Sequence, residues 1–383
     1  MTLPSDIKVL HVSWSLKTGG LEQVILNLVR SGLSCGILPQ VAVMEEEGNL
    51  LREIADLGVK THFLHKKPGL DWRMAPALKK LCQEEGIQVL HAHNTGPGLY
   101  TALAARWLGC PSLVTRHGKS FQTGWRMGIL RRIVGRLAQA TVCVGRDVLA
   151  QSNRVDLVPA DRLFLVMNGV DVDAIAAAGE HREEMRRELG LGEDDFLVIT
   201  VARLDPIKDL GVLLTAIREG AENFPGLRLV VVGDGRERAN LEQRAAQLGL
   251  SERVAFLGKR RDVPRLLSAA DAYALSSLSE GISIAVLEAM AAGLPIVGTE
   301  VDGMYELIER NVTGFLAPIS DPSALAQRLA GLAADPARAR EMGRSGHQRA
   351  RELFSIQAMC NSYRKVYEHL LGRPGADCRS CRV

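Results

Sequence analysis

Short runs of branched apolar residues alternate with helix-like stretches along this chain, and that rhythm limits the fold more than any other feature. Lys8 to Trp14, Gln40 to Met44, Val59 to Leu64, Val89 to His93, Ser112 to Thr115 and Thr141 to Val144 read as strands. The rhythm resumes with Phe196 to Val201, Leu227 to Val232, Val254 to Leu257, Ala272 to Leu275 and Pro295 to Gly298. Runs such as Leu229-Val230-Val231-Val232 lack polar alternation, as strands covered on both faces do. Helical stretches such as Leu21 to Gly32, Asn49 to Leu57 and Gly98 to Gly109 lie between them. This pattern predicts an α/β fold with doubly wound parallel sheets.

The rhythm breaks between about Asp171 and Asp195, where the charged stretch His181 to Glu193 precedes the next strand. A chain of 383 residues also suits two cores better than one. The domains expected are 1–175 and 190–354, two Rossmann-like units facing a central cleft, with ligands at the carboxyl ends of the strands. Aromatics at 4% argue against a protein that works by stacking bases, and a net charge of +3 gives no mandate for nucleic acid. Seven scattered cysteines suit a reducing compartment rather than a disulfide framework. Cys378 and Cys381 form a C-x-x-C pair without a second pair to close a zinc site, in a stretch, 373–383, that reads as a flexible tail. Met1 to Asp6 lacks the pattern of a signal peptide, and the apolar run Ile282 to Gly298 contains Glu288 and Pro295. The expectation is a cytoplasmic protein that does not span a membrane.

Several turns carry candidate chemistry. Gly19 and Gly20 precede an apolar-periodic helix, where glycine lets the backbone approach a phosphate and the helix N-terminus offers N–H groups. A tight turn that binds nothing fits the same residues. His93 and Asn94 end one strand and Arg116-His117-Gly118 another. His91 and His93 share a strand face, but no nearby carboxylate or cysteine completes a metal set, so no metal is expected there. His93 suits a substrate hydroxyl, and His91 reads as a core residue. Arg203 and Lys208 follow a buried strand, where a guanidinium fork and an ammonium suit a diphosphate. Gly233-Asp234-Gly235 starts like a dinucleotide fingerprint, but Arg238 holds the third glycine position, which disfavours a nicotinamide enzyme.

Glu280-Gly281-Ile282-Ser283 reads as the opening of a helix that carries Glu288 into apolar company. A buried carboxylate needs a partner, and a ligand hydroxyl would serve. On one helix the two glutamates would lie roughly 12 Å apart, beyond the carboxyl spacing of about 5 to 9.5 Å in glycosidases. They could touch opposite ends of one nucleotide sugar.

At Glu280 to Pro295 the chain resembles glycosyltransferase family 4, retaining enzymes of the GT-B fold. Gly19-Gly20-Leu21-Glu22, His91-Ala92-His93, Asn168-Gly169-Val170-Asp171, Arg203 with Lys208, Gly233-Asp234-Gly235 and Asn311 to Leu316 match further landmarks in order, over about residues 7 to 370. The resemblance implies a hexosyltransferase acting on a UDP- or GDP-linked sugar, without cofactor or metal. Arg203 and Lys208 would grip the diphosphate, and Glu288 the ribose. Glu280, with the N–H groups of Gly281, Ile282 and Ser283, would meet the transferred sugar. Gly19, Gly20 and Gly233 would also lie on the donor side. His93, Asn94, Arg116 and His117 would lie on the acceptor side, with Arg203, Lys208, Glu280 and His93 nearest the chemistry. A last helix, 355–372, would cross back to the first domain. Ala202, Ile282 and Arg116 depart from the family's usual residues, which bears on donor detail.

As the glycosidic bond breaks, charge on the departing diphosphate would be met by Arg203, Lys208 and helix-terminal N–H groups. The D-x-D triplet Asp171-Val172-Asp173 reads as a helix cap or hinge rather than a metal site. Trp125 to Leu137 is basic and amphipathic, which suits an anionic membrane face and a lipid-linked glycan acceptor in polysaccharide synthesis, though a packing helix with a basic edge has the same pattern. A sugar-nucleotide epimerase and a non-catalytic subunit of a polysaccharide assembly complex are the rival readings. The second would be expected to lack the two diphosphate cations.

Overall fold

The computed structural model describes residues 6–17, 20–46, 48, 50–118, 124–373 and 381. The chain divides into two compact units, Met1–Gly169 with Ile356–Val383, and Val170–Ser355.

In the first unit the strands are β1 (Ile7–Ser15), β2 (Ile37–Glu46), β3 (Thr61–Phe63), β4 (Val89–His93), β5 (Ser112–Arg116), β6 (Ala140–Cys143) and β7 (Leu163–Leu165). They form a parallel sheet in the order β3-β2-β1-β4-β5-β6-β7. Both faces are covered. On β2, Val41 and Val43 pack with Ile25, Leu26 and Val29 of the helix Gly20–Gly32. Ala42 and Met44 pack in the opposite layer with Met74, Leu78 and Tyr100. The helix Ile356–Leu370 also belongs to this unit and lies against Gly20–Gly32, burying Tyr363 and Tyr367.

The second unit holds β8 (Phe196–Val201), β9 (Leu227–Val232), β10 (Val254–Gly258), β11 (Ala272–Leu275), β12 (Ile296–Thr299) and β13 (Gly314–Ala317), parallel in the order β10-β9-β8-β11-β12-β13. In each sheet the strand order reverses once, between β1 and β4 and between β8 and β11. Crevices at such points take the ligands of open α/β sheets.

The structure moves two expectations. The charged stretch read as part of a linker is instead a helix, Arg182–Glu188, fastened to the second unit. Arg182 donates to the carbonyls of Ser268 (2.8 Å) and Ala270 (2.7 Å), and both Arg182 and Arg186 pair with Asp271. The boundary falls at Gly169/Val170, and those charges satisfy carbonyls at the end of the helix Val263–Ala269 rather than solvent. Cys381 is buried rather than loose, and its carbonyl accepts a hydrogen bond from the Leu165 N–H at 2.8 Å; Cys378 lies outside the described residues. Asp171 caps the helix Val172–Ala177 by accepting from the Ala174 N–H, while Asp173 pairs with Arg351. Among the described residues, no helix is long and apolar enough to cross a membrane.

Candidate active site

The carboxyl end of β8 runs into residues 202–209, which lie on the turn after β9. Ala202 donates to the Val232 carbonyl and Leu204 to that of Asp234. Gly233, at φ 128°, and Gly235 permit this: a Cβ at either would sit 1.9 Å from the Ala202 oxygen or 2.4 Å from the Leu204 oxygen. Between these anchors Arg203 points outward, 75% exposed, with its Nε 2.5 Å from Asp205. Arg236 approaches the other Asp205 oxygen at 3.8 Å, a third cation that the sequence pattern did not single out.

Lys208 closes the turn Pro206–Lys208 and places its Nζ 2.5 Å from Glu280 Oε2, which also accepts from Ser277 Oγ at 3.0 Å. Ser276 donates to the carbonyls of Lys208 and Asp209, and Leu278 to that of Ile207, so the loop after β11 is fastened to the loop after β8. Glu280 does not open the helix, as the sequence suggested. The helix spans Ile284–Ala291, and Glu280 sits in the preceding loop, so helical rise does not set its separation from Glu288. Gly303 makes that bend possible: its N–H donates to the Glu280 carbonyl at 3.1 Å, and a Cβ there would come 1.9 Å from the Gly281 oxygen.

Among the described residues the N–H groups of Gly281, Ile282 and Ser283 donate to no protein acceptor, so the helix start is open. Glu288 has no hydrogen-bond or ion-pair partner among them either, and burial pushes its carboxyl up to about 7. Burial, with the Glu280 and Glu288 charges, also raises the phenol of Tyr273, whose hydroxyl donates to the Val201 carbonyl at 3.1 Å. Cations, open N–H groups and an unpartnered carboxylate thus collect at the β8/β11 reversal. Such a set can take an anion at one end and hydroxyls at the other.

The matching place in the first unit is built differently. His11 on β1 lies beside His91 on β4, and His93 ends β4. His93 Nε2 lies 3.1 Å from His11 Nδ1, and His93 Nδ1 lies 3.0 Å from His117 Nε2. His91 bonds Tyr367 at 2.8 Å and Thr115 at 2.7 Å, and Thr115 bonds Tyr363 at 3.0 Å. Burial holds the imidazoles neutral, with His11 and His117 lowered to about 3 and His91 and His93 well below the ordinary value. Nitrogens of His11, His91 and His93 come within 4.8 Å of one another, a grouping a metal could share, although both His91 nitrogens already have hydroxyl partners.

Two of the residues expected on the acceptor side have partners within the protein. His93 is 1% exposed, and both of its nitrogens lie within hydrogen-bond distance of another imidazole. Arg116, placed on the acceptor side, is buried against Asp156, which Arg131 also holds at 2.8 Å. It ties β5 to the helix Trp125–Leu137. Asn94 takes φ 72° and starts the helix Thr95–Leu108; Gly20 starts Gly20–Gly32, and Gly19 lies outside the described residues. On Trp125–Leu137, Arg131 turns inward, while Trp125, Met127, Ile129 and Ile133 are exposed beside Arg126, Arg132 and Arg136.

Comparison with known proteins agrees with this architecture. The Glycosyltransferase Family 4 profile matches residues 18–174, and the profile described as Glycosyl transferases group 1 matches residues 181–349. The chain is 30% identical to the putative glycosyltransferase EpsD of Bacillus subtilis, over 75% of this chain and 78% of that one. It belongs to the group 1 glycosyltransferases. The glycosyltransferase is also 27% identical to the UDP-Gal:alpha-D-GlcNAc-diphosphoundecaprenol alpha-1,3-galactosyltransferase of Escherichia coli, over 83% of this chain and 85% of the relative. Its fold matches Anabaena HepE, solved in complex with UDP, with a TM-score of 0.82 at 21% identity, covering 95% and 100% of the two chains. Both units of this glycosyltransferase are therefore Rossmann-like and of the GT-B type. Arg203, Lys208, Glu280 and Glu288 fall in the second matched span and His91, His93 and His117 in the first, while His11 precedes both.

Proposed function

We propose that this glycosyltransferase moves a hexosyl unit from a UDP- or GDP-linked sugar to a hydroxyl of a glycan or lipid-linked glycan, with retention of configuration and without a metal. The observation that carries the reading is the group at the β8/β11 reversal: Arg203 and Lys208 beside an unpartnered Glu288. In this reading the two cations and the N–H groups of Gly281, Ile282 and Ser283 bind the diphosphate. Glu288 accepts the ribose hydroxyls, and Glu280 orients Lys208 and meets the transferred sugar. As the anomeric C–O bond breaks, negative charge builds on the diphosphate, where fixed cations stabilise it most. The acceptor oxygen then bonds the anomeric carbon and its proton leaves with the diphosphate.

The acceptor is assigned to the first unit, with His117 and Asn94 as its contacts. Two features support a lipid-linked acceptor used on the inner membrane face: the Escherichia coli relative is named for one, and Trp125–Leu137 combines exposed apolar and basic side chains. The test is calorimetric titration of UDP, GDP and their sugar conjugates in EDTA, with Arg203→Ala alongside. One nucleotide binding without metal, and lost in the variant, is the expected result. Binding that requires a divalent ion would remove the metal-free mechanism, and no binding at all would remove the donor site.

A further inference from the structure

Three imidazoles at the carboxyl end of the first sheet form one hydrogen-bonded line, from His11 Nδ1 to His93 Nε2 and from His93 Nδ1 to His117 Nε2. At its far end His117 Nδ1 is shielded from solvent and has no protein partner among the described residues. Each ring is neutral and carries a single N–H. Two contacts between three such rings leave only two proton arrangements. If His93 holds its proton on Nδ1, His11 must donate to it from Nδ1, and His117 must carry its proton on the unpaired Nδ1. If His93 holds its proton on Nε2, it donates to His11, His117 donates from Nε2 to His93, and His117 Nδ1 is a bare lone pair. The tautomer of His117 is thus tied to that of His11, a residue 82 positions away in sequence from His93.

The second arrangement costs less. Like the first, it leaves one N–H without a protein acceptor among the described residues, but on His11 Nε2 rather than on the shielded His117 Nδ1. It also puts every ring in the Nε2–H form that free neutral imidazole favours. His91 is stacked on His93 with centroids 4.3 Å apart and is itself fixed by Tyr367 and Thr115.

We propose that His11 and His93 are positioning residues that fix the tautomer of His117, so that His117 Nδ1 presents a lone pair and accepts a hydrogen bond from a hydroxyl of the acceptor. The proposal rests on the reading that the first unit takes the acceptor. His117 is then a hydrogen-bond reader and not a base, and His11 affects transfer without touching substrate.

The decisive measurement is the tautomeric state of the histidines in the full chain, read from imidazole nitrogen shifts of ¹⁵N-histidine-labelled protein. The expected spectrum has Nε2–H and bare Nδ1 at His11, His93 and His117, and His11→Phe turns His93 and His117 into mixtures. The same variant lowers acceptor kcat/KM about three- to tenfold, the worth of one weakened hydrogen bond. Added to His117→Phe, it has no further effect. An N–H on His117 Nδ1 in the unsubstituted protein overturns the proposal, and that spectrum needs no variant to fold. Independent, multiplying effects of His11→Phe and His117→Phe also overturn it, as does a bound divalent ion that His11→Phe releases. Nucleotide titration of the same sample reads the second unit, so loss of the donor reading is separable from loss of the tautomer.

Discussion

The two sheets reverse their strand order at the same topological place, yet the two crevices are filled with opposite chemistry. At β8/β11 stand Arg203, Lys208, Arg236, Glu280 and Glu288, several of them open to solvent. At β1/β4 stand the imidazoles of His11, His91 and His93, followed by His117, all held neutral by burial. Where charge does occur inside the first unit, as in Arg116–Asp156–Arg131, it is spent within the protein. Topology fixed where a ligand could go in each unit, and side chains fixed what kind. A crevice lined by cations suits a diphosphate, whereas neutral rings suit hydroxyls, which carry no charge to neutralise.

The comparison breaks most visibly at Arg203. Arg203→Ala should lower transfer about 10²–10³-fold, the scale for losing one group that stabilises developing charge. Unchanged turnover in that variant would mean that the charged crevice is not the donor site. Arg116→Met tests the opposite unit. Breaking a buried ion pair costs about 3 kcal/mol or more, so denaturant unfolding should show a large loss of stability while nucleotide affinity holds. A normal unfolding midpoint with a raised acceptor KM would instead return Arg116 to the acceptor side.

Glu288 sharpens the contrast through pH. Its folded carboxyl titrates near 7 rather than at 4.5, so between those values the folded protein keeps a proton that the unfolded chain has lost. Stability of the unliganded protein therefore falls as pH rises through that window, and Glu288→Gln should flatten the fall. Nucleotide binding favours the ionised form and should release a proton, seen as a buffer-dependent binding enthalpy; Glu288→Gln should weaken binding about tenfold. The smallest effect belongs to Asp171→Ala, which removes a helix cap worth about 1 kcal/mol and should leave nucleotide binding in EDTA unchanged. A loss of binding there would reopen the D-x-D triplet as part of the site.

Much of the fold was legible because fully covered strands have a simple signature. Val89–His93, Phe196–Val201, Leu227–Val232 and Ala272–Leu275 match the apolar runs residue for residue. β7 and β13 were missed although β11, as short as β13, was found, so length alone does not separate a strand from a loop. Glu280 was placed on a helix because apolar periodicity begins near it, whereas the bend depends on Gly303, beyond β12. His11, flanked by Leu10 and Val12, reads as one more core position, and nothing local marks its bond to His93.

The sequence by itself determined the alternation of elements, the turns that must carry glycine, and the cations and carboxylates at strand ends, because these follow from residue type and short-range geometry. Only the tertiary structure decided which of those groups meet. Lys208 finds Glu280 across 72 positions, and His93 joins His11 and His117 in a hydrogen-bonded line. Partner choice and burial depend on strand register and packing between segments far apart in the chain, and these set whether a polar group is free for a ligand or already used.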